Sequence, residues 1–425
     1  MKQPIIVREY AQLEVGTVKQ ESLDKAFITQ TDFDFLCSLE EEKAEKSQSF
    51  LRINGIKKLK VRNYVGIIET PNAIIEVLPK ITEIEEPEQS RRILQKMLAF
   101  YLDLPERVAN DAHLERYHYP LHEWLMKLFL EKLTILFKKG IRSDYERVEE
   151  EQPFLRGQFN IPARMRQPIG RQHIFPIRHD IYSLNRAENR LLKTAVGEVC
   201  RLTNDPENWR LSHEYHLLMQ DIPRSNHYNH DFKQWRDGRL LAHYQDIRVI
   251  CEIILTKFSP ITTHGEHRGI SLLFPMEKLF EKYVAAQVGR YLKSVFNLNL
   301  QVCSEYLCKD ENFLLKPDML IKQGDENKLV LDTKWKRLDK GKESITQSDV
   351  YQMFAYSQKF ACDVVLIYPQ CEKLKNDFIF KFFDGKELQV VLFDLTNDVF
   401  IFTSNNTSNL VPFLSESYMI KMSSY

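Results

Sequence analysis

A multidomain α+β architecture is what this sequence predicts, and three observations predict it. The chain has 425 residues, enough for two or three domains at roughly 100–200 residues each. Its hydrophobic and charged fractions, 43% and 28%, are those of a chain that can bury a core rather than of a disordered one. The apolar periodicity then changes twice. It predicts a β-rich N-terminal region over 1–90, a mainly helical middle over 91–270, and an α/β region with a mixed central sheet over 271–425. The last stretch, about 155 residues by these bounds, is of a size expected to fold by itself.

In the first region Ile5 to Tyr10, Ala26 to Thr29, Phe50 to Ile53, Lys60 to Tyr64 and Ala73 to Leu78 are short, often alternating runs that predict strands. Thr70-Pro71-Asn72 predicts a turn. Glutamates crowd the stretch from Thr82 to Ser90, which reads as a solvated boundary. Helical spacing begins at Arg91 to Leu104 and returns at Leu121 to Lys139, Asn185 to Thr203, Arg210 to Gln220 and Leu240 to Phe258. Between these helices Arg156, Arg164, Arg166, Arg171 and Arg178 occur without an Asp or Glu over 154–179. That segment reads either as a solvated connection or as a contact for phosphates or an acidic partner. In the last region a helix is expected over Met276 to Lys293 and another over Asp349 to Phe360. Strands are expected at Leu300 to Tyr306, Leu314 to Ile321, Lys328 to Thr333, Asp363 to Tyr368, Phe378 to Phe383 and Leu388 to Leu392.

Composition removes several function classes. Lys plus Arg and Asp plus Glu both total 59, so a histone-like or tail-driven nucleic-acid binder is excluded, while local basic patches are not. Glycines number only 14, and Gly341-Lys342 lacks the upstream glycine of G-x-x-x-x-G-K-[ST], so a P-loop motor is not expected. Residues 1–20 lack the apolar core of a signal peptide, and the uncharged run Val399 to Ser415 is too polar to span a bilayer. Seven cysteines without a C-x-x-C pair predict reduced thiols in the cytoplasm and argue against a zinc ribbon or an iron–sulfur cluster. No H-E-x-x-H or G-x-S-x-G segment is present.

Chemistry concentrates in Lys316-Pro317-Asp318 and, fourteen positions after that aspartate, Asp332-Thr333-Lys334. Both sit at ends of predicted strands, where adjacent strands can bring two carboxylates to one sheet edge. Two carboxylates sharing a small site repel unless a cation lies between them, and oxygen ligands suit Mg²⁺, with Mn²⁺ the alternative. Strand alternation puts Lys334 on the face of Asp332, beside the metal, to orient or deprotonate water or to balance phosphate charge. Glu281 falls near the apolar face of its helix, where a free carboxylate is costly; a metal role and a snorkelling side chain both explain it. Gln352 and Tyr356, spaced i,i+4, present an amide and a phenol on one helix face after the D-x-K strand. Lys336, Arg337, Lys340 and Lys342 form a basic run that either holds a phosphate backbone or is a solvated loop.

The P-D…D-x-K pattern resembles the PD-(D/E)xK nucleases, and Q-x-x-x-Y resembles their RecB-like branch. With Leu279-Phe280-Glu281, the looser Glu76-Val77-Leu78-Pro79-Lys80-Ile81, Leu155-Arg156-Gly157-Gln158 and the Asn185 to Asn189 region, the chain resembles the McrC family, the nuclease subunit of modification-dependent McrBC-type restriction systems. The resemblance implies a C-terminal PD-(D/E)xK domain that cuts DNA. It also implies an N-terminal part that docks on a hexameric McrB-like AAA+ GTPase and stimulates it, with methylcytosine read by that partner. Asp318, Asp332, Glu281 and Thr333 are assigned to the metal, and Asp318, Asp332, Glu281, Lys334, Gln352 and Tyr356 to catalysis. Docking is expected in Met1 to Ile81, with the strip Lys57-Lys58-Leu59-Lys60-Val61-Arg62 and Asn63-Tyr64 as its interface; the strip also reads as a strand edge guarded by lysines. Two other functions remain open: a RecB-like exonuclease or repair nuclease without a GTPase partner, and a non-catalytic scaffold regulating an AAA+ motor.

Overall fold

The computed structural model describes residues 3–45, 49–81, 87–102, 119–171, 173–235, 242–257, 270–302, 305–310, 312–338, 341–370, 378–401 and 410–414. The chain divides into two compact units: one combines 1–121 with 261–425, and the other is 122–260.

The first unit opens with β1 (Gln3–Arg8), β2 (Gln12–Val15), β3 (Lys19–Ser22), β4 (Lys25–Ile28), a helix over Gln30–Glu45, then β5 (Leu51–Ile53), β6 (Lys58–Val61), β7 (Tyr64–Glu69) and β8 (Ala73–Leu78). Five of the strands form a sheet in the order β3-β4-β2-β6-β5, while β1 runs parallel to β8 and β8 antiparallel to β7. A single core joins both sheets to the helix, with Val7, Leu13, Ile28, Leu36, Leu59 and Ile75 buried together. The helix fills a stretch between Thr29 and Phe50 to which the sequence reading assigns no element. Its start is fixed by a reciprocal cap: Thr29 N donates to Asp32 Oδ2 (3.3 Å) and Asp32 N donates to Thr29 Oγ1 (3.2 Å). The lysine-bearing β6 lies inside its sheet, between β2 and β5, so its lysines do not guard an edge. A helix over Pro87–Tyr101 follows, and its Arg91 guanidinium clasps Glu76 on β8 (2.6–3.1 Å).

The second unit is helical over Leu121–Lys139, Ala187–Leu202, Pro206–Leu218, Tyr228–Gln234 and Ala242–Lys257. It also carries a sheet that the helical expectation omitted: β9 (Asp144–Gln152), β10 (Gln158–Phe159) and β11 (Phe175–Ser183), in the order β10-β11-β9. The basic segment is therefore not a plain connection. It runs through β10, a short helix over Ile161–Arg166 and part of β11, and two of its five arginines meet glutamates of β9: Arg178 pairs with Glu149 (2.6 Å) and Arg171 with Glu151 (3.6 Å). Gly157 is required where it stands, because its φ is +71° and a Cβ would lie 2.5 Å from the Arg178 carbonyl oxygen. The buried Asn189 is structural: its amide donates to the carbonyls of Arg142 and Leu184 and accepts from Tyr244.

The chain re-enters the first unit as β12 (Ser271–Pro275), which pairs antiparallel with β7 and completes the sheet β1-β8-β7-β12. The expected boundary at 270/271 thus falls at the start of a strand that pairs within the N-terminal sheet, and Leu273 of that strand packs against the N-terminal core. A helix over Met276–Tyr291 leads to β13 (Asn297–Leu300), a hairpin of β14 (Glu305–Tyr306) and β15 (Leu314–Leu315), then β16 (Met319–Gln323), β17 (Glu326–Thr333), β18 (Asp363–Pro369), β19 (Phe378–Lys381), β20 (Glu387–Asp394) and β21 (Val399–Ile401). The mixed sheet has the order β13-β16-β17-β18-β20-β19, with β21 also on β20, and only β17, β18 and β20 run parallel. A helix over Gln347–Phe360 makes the crossover that the parallel β17–β18 pair requires, and buries Met353, Tyr356 and Phe360 against Val330, Val364 and Leu366.

Candidate active site

Register builds the site. The last β16–β17 pair is Met319 with Leu331, and one step further puts Asp318 opposite Asp332, where the two strands leave the ladder. Asp332 is 2% exposed. The Lys334 amide continues the β17–β18 ladder by donating to the Ile367 carbonyl (2.9 Å), which keeps alternation intact and returns the lysine to the face of Asp332. Its ammonium lies 2.7 Å from Asp332 Oδ2. Thr333, on the intervening position, donates both its amide and its hydroxyl to Asp318 Oδ2 (2.7 Å each). Thr333 therefore steers Asp318, and its hydroxyl proton is committed there.

Burial raises the Asp318 pKa above the usual carboxylate range, and the Thr333 donors and Lys334 only partly offset it. Asp332 is pushed up to about 7, first by burial and then by the charge of Asp318, against the pull of Lys334. Lys334 moves the other way: burial favours its neutral form, but Asp332, Asp318 and Asp349 outweigh it and hold the ammonium charged.

Gln352 and Tyr356 join this centre through a chain of hydrogen bonds. Lys334 Nζ donates to Gln352 Oε1 (3.0 Å), Gln352 Nε2 donates to the Tyr356 hydroxyl (2.8 Å), and that hydroxyl donates to the Lys316 carbonyl (3.0 Å), two residues before Asp318. The chain fixes the rotamer of the lysine and ties the Asp318 approach to the crossover helix. Burial pushes the Tyr356 phenol up to about 12, so it serves as a proton donor in this chain. Lys336, from the basic run, donates to Asp349 (3.0 Å), and Arg337 lines a cavity beside it. Lys340 lies outside the described residues.

Glu281 sits half-buried on the 276–291 helix, accepting from Gln301 Nε2 (2.8 Å), while the Gln301 amide donates to the Asp318 carbonyl (2.9 Å). Burial and the charge of Asp318 raise its pKa. Glu281 is thus within electrostatic reach of the pair, but among the described residues no three Asp, Glu, His or Cys groups are assembled as a ligand set. The donors that fit a divalent cation are Asp318 and Asp332. Both are destabilised as anions by burial, Asp318 further by the charge of Glu277 and Asp332 by that of Asp318, and the buried Asp332 Oδ2 accepts no aligned hydrogen bond beyond its ion pair with Lys334.

Sequence reasoning missed the support behind this edge. Trp335, next to Lys334, is buried between two groups: its indole N–H donates to both carboxylate oxygens of Glu9 (3.0 and 3.1 Å), and its ring packs on Phe280 (5.2 Å), the neighbour of Glu281. Glu9 is fully buried, also accepts from the Lys80 amide (3.0 Å), and burial pushes its pKa up to about 8. The Pro-Lys-Ile tail of the E-V-L-P-K-I segment was the one available signal.

A description of McrBC 5-methylcytosine restriction system components matches residues 59–369 of this chain. Among solved structures, the chain resembles one in the Thermococcus gammatolerans refined half-complex from a tetradecameric assembly of McrB AAA+ hexamers with bound McrC. That likeness covers 99% of this chain and 100% of the other at 17% identity, with a TM-score of 0.74. It also resembles a chain of the cryo-EM structure of the Thermococcus gammatolerans McrBC complex, over 68% of this chain and 88% of the other, at 20% identity and a TM-score of 0.53. These likenesses are of fold. No curated protein matches the chain. No helix among the described residues is long and apolar enough to cross a membrane.

Proposed function

The chain belongs to the family of McrBC 5-methylcytosine restriction system components, and we propose that within such a system it is the subunit that cuts DNA, a metal-dependent endonuclease of PD-(D/E)xK type. The observation that carries this reading is the meeting of Asp318, Asp332 and Lys334 at one sheet edge, with Gln352 and Tyr356 hydrogen-bonded behind them. Asp318 and Asp332 would hold Mg²⁺ (Mn²⁺ the alternative), which when bound polarises the scissile phosphoryl group. Thr333 sets the Asp318 carboxylate for that role. Glu281 is assigned a place beside the pair, as a further ligand only when Gln301 releases it. Lys334, held charged, balances the negative charge that develops on the attacked phosphate, a role that its raised pKa favours over that of a neutral base. Gln352 and Tyr356 keep the ammonium aimed and close one side of the site to random water.

The partner follows from the same reading. The Thermococcus assemblies named above contain McrB AAA+ hexamers with bound McrC, and this chain is proposed to work with a hexameric McrB-like GTPase and to stimulate it, docking through its N-terminal residues. The test is cleavage of methylated duplex DNA by the chain with its GTPase partner, GTP and Mg²⁺, beside Asp332→Ala. Loss of cutting with GTPase stimulation retained is the expected result. Cutting at the parent rate by Asp332→Ala would remove the site. Degradation of DNA ends without the partner would favour the exonuclease reading.

A further inference from the structure

We propose that the cavity between β5, β6 and the start of the 276–291 helix is a second contact for the sugar–phosphate backbone of DNA, in addition to the proposed metal site. This rests on the nuclease reading and adds to it a place where the duplex is held.

The cavity measures about 500 Å³, and its basic wall is Arg52, Lys60 and Arg62. Arg52 and Lys60 face each other directly across the β5–β6 ladder. Like charges in that position repel, and a protein that keeps them without a counter-ion gains from an anion supplied from outside. Among the described residues no carboxylate lies at ion-pair distance from any of the three: Arg62 donates to the neutral Ser49 hydroxyl (2.7 Å), and Lys60 lies 6.0 Å from the Tyr10 ring centre. Lys58, on the same strand, is by contrast paired with Glu14 (2.9 Å). The one carboxylate on the wall, Glu277, is held by the Asn63 amide (2.7 Å).

Tyr10 supplies the aromatic half of such a site. It is 45% exposed, and its backbone has φ of 65°, a region that a bulky residue rarely occupies. Tyr10 also lines a second cavity, of about 650 Å³, whose lining includes Trp335, Lys336 and Arg337 together with the carboxylates of Glu9 and Asp24. Trp335, Lys336 and Arg337 directly follow Lys334. One aromatic therefore lines both a basic cavity and one that takes in the residues after the D-x-K strand, an arrangement that fits a backbone laid across it with a base or sugar against the ring.

The experiment measures binding of a fluorescent DNA duplex by the full chain in EDTA, from about 50 to 200 mM salt. Arg52→Ala, Lys60→Ala and Arg62→Ala combined should weaken binding and lower the log–log salt slope by about 2–3, near 0.9 per lost phosphate contact. Lys57→Ala with Lys58→Ala, outside the cavity, should leave the slope unchanged. Tyr10→Gly, which suits the positive φ and so keeps the fold, should cost about tenfold in affinity. A parent chain that binds no duplex overturns both this inference and the nuclease reading. An unchanged slope in the triple variant overturns this inference alone, and an unchanged slope together with lost stimulation of the GTPase assigns the cavity to a protein partner instead.

Discussion

Replacing Asp332 by Asn should make the metal-free protein more stable, and increasingly so as pH rises. The Asp332 carboxyl has an ordinary pKa of 3.8 but is pushed up to about 7 in the fold, by burial and by Asp318. Between about pH 4 and 7 the folded protein keeps a proton that the unfolded chain has lost. The folded state then binds more protons, so stability falls as pH rises through that window and levels off above it. Each pKa unit corresponds to about 1.4 kcal/mol, which gives a ceiling of about 4 kcal/mol for Asp332 at pH 8, the Lys334 attraction already included. The proton belongs to the Asp318–Asp332 pair, so the apparent midpoint reports both. Asn mimics the protonated carboxyl at every pH. Urea melts in EDTA at pH 5, 6, 7 and 8 should show the gap between variant and parent opening by about 1 kcal/mol per unit up to pH 7. A gap that stays flat, or a variant less stable at pH 8, would refute the reasoning. The same variant should cut no DNA, which makes this edge a place where stability is exchanged for chemistry.

Lys334→Ala should abolish cleavage while leaving the thermal transition of the chain in place, and Lys334→Arg should restore little, since a guanidinium does not fit the gap between Asp332 and Gln352; DNA cleavage with partner and GTP is the check. Tyr356→Phe removes the hydroxyl between Gln352 and the Lys316 carbonyl and should lower stability by about 1–2 kcal/mol and slow cutting; an unchanged urea midpoint would sever that relay. Glu9→Gln should be tolerated at pH 7 within about 1 kcal/mol, because a carboxyl whose pKa lies at about 8 is already protonated there. Parent stability should decline as pH climbs from about 4.5 to 8, with Glu9→Gln losing that part of the decline.

Local patterns announced most of the last region. The run Asp363 to Tyr368 is buried on both faces and forms the central strand β18, and D-x-K alternation was enough to put Lys334 beside Asp332. Gln352 and Tyr356 share a face because i,i+4 spacing demands it. What escaped were features that depend on distant partners. Nothing local in Ser271 to Pro275 points to the N-terminal sheet, and only β7, some two hundred residues earlier, makes it a strand there. Thr333 is expected at the metal, but its amide and hydroxyl both donate to Asp318, a partner that only the neighbouring strand supplies. Arg171 and Arg178 read as uncompensated because their glutamates lie on β9. The helix over Gln30–Glu45 was hidden by its weak apolar periodicity, although Thr29 and Asp32 carry a capping signature.

The split origin of the first unit has a consequence for synthesis. A ribosome making about 5–20 residues per second needs roughly 10–40 s to pass from β7 to β12. Throughout that interval one side of β7 is an open edge, and Glu9 lacks the indole 326 positions away that will receive it. The nascent N-terminal portion is thus a natural client for a holding chaperone. Because Trp335 adjoins Lys334, the partner of the buried Glu9 and the lysine beside Asp332 are delivered by the same late segment. A chain released before these strands would carry neither the β7–β12 pair nor the pairing of Lys334 with Asp332.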